Sequence, residues 1–548
     1  MNRYIFKKAL IACCFSILFA ACSDSFLDIQ PKDKPGDDNF LMDLSSAQQL
    51  VVASFTPLVT EVQMYAKRFG IICDGLSDDS GLRINGNEFV QILDWNITPD
   101  MSYVGDWWKF SYQSINASNY AIKNIPTLKN KGYTDADLNV YIAEARFMRA
   151  FNYMFLVTFY GDVPLILEPL SSFDQYSQPR SATSTVYTQI IEDFQFAKEH
   201  LSKDGAGYSG MPTRAAGAAY LAKAYLYQKD YAKAETEARD AIRIAEEDGY
   251  YLIDDYASIF SIDNEENPEL LFYLSYERNS GLWEQDFCVE RNARDVPTEL
   301  KYIQGGEGWG YCLPSRSLYD AYEPNDPRRD YTLFSEETTF GVYTPSKPLT
   351  LDFHSYDSNG TPITTPITYN TGDDVLYDYT WSPTGLNVKK LTEDLNGLTN
   401  VRFAGLDWPL MRMADLYLFL AETLAEQGKE EALVWVNKVR SRASVNMPAK
   451  TTADGSLIDI VRQERRVELG MEGQRIFDLL RWNAIKTTFG DGKQVKLHFY
   501  SDYLPATSSD KYKTVSGLSK YPTDHILFPI PQYEMDQNKN IIENNPGY

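Results

Sequence analysis

The sequence predicts a mainly α-helical protein: a body of paired helices carrying a large loop-rich insertion with short strands. Three observations predict it. Apolar residues recur at helical spacing over 134–201, 213–244 and 408–486. Two of these stretches share one helix–turn–helix layout about 34 residues long. Between about 250 and 405 the period disappears, and Gly, Pro, Asp and Asn punctuate short apolar runs.

The chain begins with a segment that is not part of this fold. Arg3, Lys7 and Lys8 precede an apolar run over 11–21, about half the length that spans a bilayer. The run ends Phe19-Ala20-Ala21-Cys22, followed by Ser23-Asp24-Ser25. This reads as a lipoprotein signal peptide, residues 1–21, with Cys22 as the lipid attachment. Cys13 also follows a suitable triplet but sits too early for an apolar region to precede it. The alternative is a plain secretory signal with Cys22 incidental. Residues 22–39, charged and broken by Pro31 and Pro35, read as an N-terminal tether. Residues 40–548 are read as a single domain.

Within that domain a helix is expected from near Ser45, with Ala47, Leu50, Val51 and Phe55 on one face. Others are expected over 106–126, 134–160 and 184–201. Gly161-Asp162-Val163-Pro164 stops the third. Over 213–244, Ala215, Ala216, Ala218, Ala219 and Ala222 permit close helix contact, Gln228-Lys229-Asp230 breaks the chain, and Tyr231, Ala234, Ala238 and Ile242 mark a second helix. This looks like a tetratricopeptide unit. A second unit runs over 409–443 around Gln427-Gly428-Lys429, and 134–201 is a degenerate third. The helical repeats thus fall at about 134–245 and 408–486. They are not contiguous, which disfavours a plain solenoid. In the loop-rich region, 250–405, the runs 270–276 and 338–343 read as strands. An irregular stretch this long inside a domain is usually functional. The C-terminal stretch, 525–548, reads as irregular.

Net charge −24 excludes a phosphate-backbone binder, which needs clustered Lys and Arg. His200, His354, His498 and His525 are isolated, so no metal site or cofactor is indicated. Asp78-Asp79 and Asp373-Asp374 lack calcium-loop spacing and read as solvated surface. Cys73, Cys288 and Cys312 leave two readings open, a Cys288–Cys312 bridge or three buried thiols. No nucleophile or phosphate-loop motif occurs, and Gly305-x-x-Gly308-x-Gly310 lacks a strand-to-helix setting. Glu464, Glu468 and Glu472, spaced four apart among Arg462, Arg465, Arg466 and Arg475, suggest ion pairs between helices on one helical face.

Aromatic residues make up 14% of the chain, more than a core of paired helices explains. Trp435, Trp482 and Trp408 fall in or at the start of expected helices and read as core. Trp95, Trp107, Trp108, Trp283, Trp309 and Trp381 lie in or beside loops among polar residues, with Tyr103, Tyr311, Tyr377 and Tyr379 nearby. Exposed rings among amides and carboxylates suit sugars, whose C–H faces stack while their hydroxyls hydrogen-bond.

These segments together resemble the SusD/RagB family of outer-membrane nutrient-binding lipoproteins. The resemblance begins at Cys22 with Phe26-Leu27-Asp28-Ile29-Gln30-Pro31. It continues through Ala143-Glu144-Ala145-Arg146-Phe147-Met148-Arg149-Ala150, Phe159-Tyr160-Gly161-Asp162-Val163-Pro164-Leu165, Thr213-Arg214-Ala215-Ala216 and Asp326-Pro327-Arg328. The most specific stretch is Glu464-Arg465-Arg466-Val467-Glu468-Leu469 with Glu472-Gly473-Gln474-Arg475-Ile476-Phe477-Asp478-Leu479-Leu480-Arg481-Trp482. It implies a SusD-like helical body with tetratricopeptide-like pairs. It also implies a lipid-anchored, surface-facing outer-membrane protein that captures a glycan without cleaving it, partnered by a SusC-like TonB-dependent transporter. The motifs that carry the resemblance are scaffold, so no ligand residue transfers with them. The glycan-binding candidates are Trp95, Trp107, Trp283, Trp309, Tyr311 and Trp381. A tetratricopeptide-like protein- or peptide-binding lipoprotein is the alternative, and a carbohydrate-active hydrolase is a third class.

Overall fold

The computed structural model describes residues 41–59, 68–83, 86–93, 95–170, 172–205, 207–280, 286–356, 362–393, 398–489 and 527–548. The signal peptide, Cys22, the tether, Trp283, His498 and His525 lie outside these residues. About half of the described residues are helical, and every strand pairs in a two-stranded antiparallel sheet.

The N-terminal half is helical. It comprises α1 (Leu44–Val59), α2 (Phe69–Cys73), α3 (Asn87–Leu93), α4 (Ser102–Asn124), α5 (Asp135–Tyr160), α6 (Thr183–His200), α7 (Arg214–Tyr227) and α8 (Tyr231–Glu247). Local chemistry sets the ends. Thr134 and Asp137 form a reciprocal capping box at the start of α5, and Gly161, at φ +70°, ends it. A side chain at Gly161 would also run into Leu527. The Thr213 hydroxyl caps α7 and the Asp230 carboxylate caps α8. The small residues of α7 act as expected: a Cβ on Gly217 would lie 2.8 Å from the Lys198 backbone nitrogen, so α6 and α7 touch backbone to backbone.

The C-terminal helices are α9 (Asp286–Arg291), α10 (Met413–Glu426), α11 (Ala432–Arg440), α12 (Leu457–Glu468) and α13 (Arg475–Arg481), with shorter helices between and after them. The two helix pairs α7–α8 and α10–α11 are far apart in sequence yet adjacent in space, because α8 packs on α10. Tyr417 donates to Glu246 at 3.1 Å, and Arg239 pairs with Glu431 at 2.7 Å across that contact.

The loop-rich segment leaves the body at β2 (Leu270–Leu274) and returns at β10 (Trp408–Arg412), which pair antiparallel. Trp408 therefore lies in a strand and not at a helix start, because 408–412 completes this ladder before α10 begins. From the N-terminal half β1 (Ser80–Leu82) pairs β3 (Cys312–Pro314) of the insertion, and inside the insertion β5 (Thr339–Val342) pairs β8 (Asp374–Leu376). The strands β6 (Leu349–Tyr356) and β7 (Pro362–Tyr369) form a hairpin. A second core sits here, separate from the main one. It is built on Phe334, Phe340, Tyr343, Tyr369, Tyr377 and Trp381 with a few aliphatic residues.

Ion pairs join insertion to body. Arg412 meets Glu269 (2.9 Å), Glu468 (2.7 Å) and Glu472 (2.8 Å). Arg442 meets Glu269 and Glu468. From the insertion, Arg328 reaches Glu464 (2.6 Å) and Glu468 (2.9 Å), and Lys390 reaches Glu472 (2.8 Å). Burial alone would raise the Glu468 carboxyl, but Arg412, Arg442 and Arg328 outweigh it and hold it well below the usual carboxylate range. The three glutamates thus converge as expected, although α12 ends at Glu468 and Glu472 reaches the cluster from the following turn.

Two further expectations are corrected. Asp78 and Asp79 are buried, not solvated, because Arg466 pairs with both and Arg475 with Asp78. Of the two cysteine readings, the structure has the thiols: Cys73, Cys288 and Cys312 are free and buried.

Candidate functional site

Most of the expected stacking rings lie inside the protein. Trp107, on α4, is fully buried between Phe69, Phe155 and Phe159 at centroid distances of 5.4–6.0 Å. Trp95, at φ 52° in the turn after α3, is 2% exposed and packs on Phe489. Trp381 is 8% exposed, against Phe340 and Tyr377. These three rings present no open face, which corrects the expectation that they meet a ligand. Trp108, Tyr103, Tyr377 and Tyr379 are buried as well. Proximity to loops misled because other segments cover these loops.

Trp309 and Tyr311 differ: both are half-buried. They stand on either side of Gly310, and their rings lie 5.2 Å apart. The backbone is pinned on both edges. The N–H of Trp309 donates to the Val289 carbonyl and that of Tyr311 to the Glu290 carbonyl, each at 2.7 Å, while the Arg83 N–H donates to the Tyr311 carbonyl at 2.9 Å. The Gly-rich run makes this possible. A Cβ on Gly308 would collide with the Val289 carbonyl and with Asn292, and Gly310 takes φ +59°. The run is a spacer that sets two rings against α9.

The ledge continues inward. Phe89 packs edge-on against Tyr311 (5.1 Å) and Tyr103 (6.0 Å), and the Arg68 guanidinium lies 4.4 Å over Tyr103. Burial, then the Glu290 charge, push the Tyr103 phenol well above its ordinary range, so it stays a neutral hydroxyl. Arg402 stands 5.7 Å over Trp309. Arg83 pairs with Asp295, and Arg294 and Glu307 are exposed beside the rings. The arrangement sets two partly exposed rings beside guanidinium and carboxylate groups. Sequence reasoning found Trp309 and Tyr311 but not Phe89, Arg83, Asp295 or Arg402. These come from four separate segments and carry no local pattern.

Among the described residues, no group of three or more His, Cys, Asp or Glu gathers as metal ligands, and no helix is long and apolar enough to cross a membrane.

Comparison with known proteins places this geometry. The family model described as "SusD family" matches residues 268–548, and one described as "Starch-binding associating with outer membrane" matches residues 25–226. SusD-like protein P2 of Formosa agariphila is 27% identical over 97% of this chain and 98% of its own. The starch-binding protein SusD of Bacteroides thetaiotaomicron is 25% identical over 77% of this chain and 75% of its own. Among solved structures, a SusD-like carbohydrate-binding protein from Bacteroides fragilis superposes with a TM-score of 0.71 at 23% identity, covering 92% of this chain and 99% of that one. Surface glycan-binding protein A from Bacteroides thetaiotaomicron, solved with laminarihexaose, gives 0.67 at 19% identity over 92% and 99%.

Proposed function

The chain belongs to the SusD family, and we propose that it is a surface glycan-binding lipoprotein that captures an oligosaccharide or polysaccharide at the Trp309–Tyr311 ledge. It acts without catalysis, is held on the outer membrane through Cys22, and delivers its ligand to a SusC-like TonB-dependent transporter. The observation that carries the binding site is the Trp309–Tyr311 pair, half-exposed and flanked by Arg83, Asp295, Arg294 and Arg402. Rings of this kind stack on pyranose C–H faces while charged neighbours bond to hydroxyls. The starch-binding, outer-membrane description of the second family model supports the ligand class and the location. The laminarihexaose complex of one fold neighbour supports the ligand class.

Calorimetry and affinity gels against a panel of soluble polysaccharides test this reading. Trp309→Ala and Tyr311→Ala are each expected to weaken retention about tenfold, ~1.4 kcal/mol. Retention of no glycan, or retention indifferent to both substitutions, overturns the ledge and returns the tetratricopeptide-like protein-binding alternative. Chromatography of the recovered glycan should show no shortened product; a product lost on replacing one carboxylate would establish a hydrolase. Cys22→Ala should release the protein from the membrane fraction. Purification in mild detergent should retain a TonB-dependent barrel.

A further inference from the structure

One lysine of the body is buried without a counter-charge. Lys223, on α7, is 6% exposed. Among the described residues its ammonium makes no ion pair and no hydrogen bond. What it meets are rings: Tyr220 at 5.3 Å, Tyr227 at 5.7 Å and Phe419 at 5.5 Å. These distances lie near the outer limit of a cation–π contact, about 6 Å, so the rings compensate the charge weakly. The charged groups around it belong to other pairs. Asp415 is held by Arg465 at 2.8 Å, and Asp478 by Arg465 at 3.0 Å and Arg481 at 2.8 Å. Arg481 also donates to Glu422 at 2.6 Å. Burial pulls the Lys223 amine down to about 8, with Asp415 opposing it. A buried cation in this state is unfavourable until an anion meets it.

Lys223 lines a cavity of about 20 Å³ between α5, α7, β10 and the start of α13. Its walls are mainly apolar, and Lys223 is the one charged residue in the lining, with no carboxylate beside it. The polar members are Thr158, Tyr220, Tyr227 and Gln474. The Thr158 hydroxyl already donates to the Met154 carbonyl at 2.7 Å, and that of Tyr220 to the Leu410 carbonyl at 3.4 Å. The Gln474 side chain makes no hydrogen bond among the described residues, although Gln474 is 7% exposed. Its amide and the Tyr227 hydroxyl are thus donors to spare.

The volume selects the ligand. A cavity of about this size holds one particle the size of a water molecule, and a carboxylate, a sulfate or a sugar is too large for it. Water would leave the charge uncompensated. Thr158 and Tyr227 also line an adjoining cleft of about 530 Å³, which gives a small ion a way in.

We infer that this cavity binds a single halide ion, chloride, on the Lys223 ammonium, with the Gln474 amide and the Tyr227 hydroxyl as further donors. The site lies in the main core, and it and the Trp309 ledge can each fail without the other.

Two measurements on the full chain test the assignment. Crystals transferred to sodium bromide should show an anomalous peak within hydrogen-bond distance of Lys223 Nζ. In solution, exchanging sodium gluconate for sodium chloride at constant ionic strength should raise Tm saturably, by about 1–2 °C at ten times the dissociation constant. Lys223→Met puts an apolar side chain of similar length in place of the amine. It should lose both the peak and the chloride increment, and in gluconate it should melt no lower than the unsubstituted protein. Gln474→Leu, which keeps the amine, should move the midpoint of the chloride effect to higher concentration. Lys203→Met, at an exposed lysine, should keep both signals. Any of four results overturns the proposal: no bromide peak beside Lys223, a peak with no saturable chloride effect in solution (an adventitious ion only), a chloride increment that survives Lys223→Met, or, should that variant not fold, a midpoint unmoved in Gln474→Leu.

Discussion

The helical body and the insertion bury their surfaces in different ways. The body has long amphipathic helices and a large core of mixed aliphatic and aromatic side chains. The insertion has strands of two to eight residues and a small core in which six of eleven buried residues are aromatic. Short strands present few inward positions, so each must cover much area, and a Phe, Tyr or Trp buries about 150–250 Å². The aromatic wealth of this chain is therefore mainly the means by which a loop-rich segment acquires a core. Trp107 and Trp381 are the same residue type serving two different cores, while Trp309 is held by its backbone and leaves part of its ring to solvent.

Four experiments can break or sharpen this contrast. The largest effect is expected where the regions join. Glu468→Gln removes the charge shared by Arg412, Arg442 and Arg328 and should cost about 3–5 kcal/mol in urea unfolding. The exposed Arg243–Glu247 pair gives the reference: Glu247→Gln should cost under ~1 kcal/mol. If the two cost the same, the junction is not held by its ion cluster.

Next, Trp107→Ala should destabilise the whole protein by about 3–5 kcal/mol. Trp381→Ala should instead split the transition, with amides of the insertion exchanging before those of α5 and α7. A single shared transition in both variants would mean that the two cores fold as one.

Smaller still, Trp309→Ala should change stability by less than ~1 kcal/mol while weakening glycan binding about tenfold. An unfolding penalty as large as that of Trp107 would make Trp309 a core residue.

The smallest effect concerns pH at the base of the insertion. Burial, then the Asp407 charge, push Glu265 up to about 8, and burial pushes Asp407 up to about 7, with Glu266 adding to it. Both folded values lie above the unfolded ones near 4. The folded state therefore holds more protons across that window, so the stability these groups contribute is complete below pH ~4 and lost as pH rises through 7 to 8. Urea unfolding followed from about pH 6 to about 8.5 should show stability falling across that window. Asp407→Asn should flatten the profile, and an unchanged slope would remove Asp407 from the account.

Much of the fold is legible in the chain because its causes are local. The apolar period of 134–160, the stop at Gly161, the alanines of α7 and the cap at Asp230 act within one or two turns. The strands β2 and β5 are legible for the same reason. The candidate site is legible only in part. Trp309 and Tyr311 announce themselves through the glycine run, but Arg83 and Asp295 meet only after folding.

By itself the sequence determined the helices, their close-packed small faces and the family resemblance, since periodicity, capping and spacing are short-range properties. Tertiary structure decided which charges and which rings are covered. Asp78 becomes a buried partner because Arg466 and Arg475, almost four hundred residues later, are folded against it. Trp107 becomes core because α2 and α5 close over it, and Trp309 stays partly exposed on a backbone bonded to the Val289 carbonyl. Burial depends on what arrives from elsewhere in the chain, and no local pattern records that.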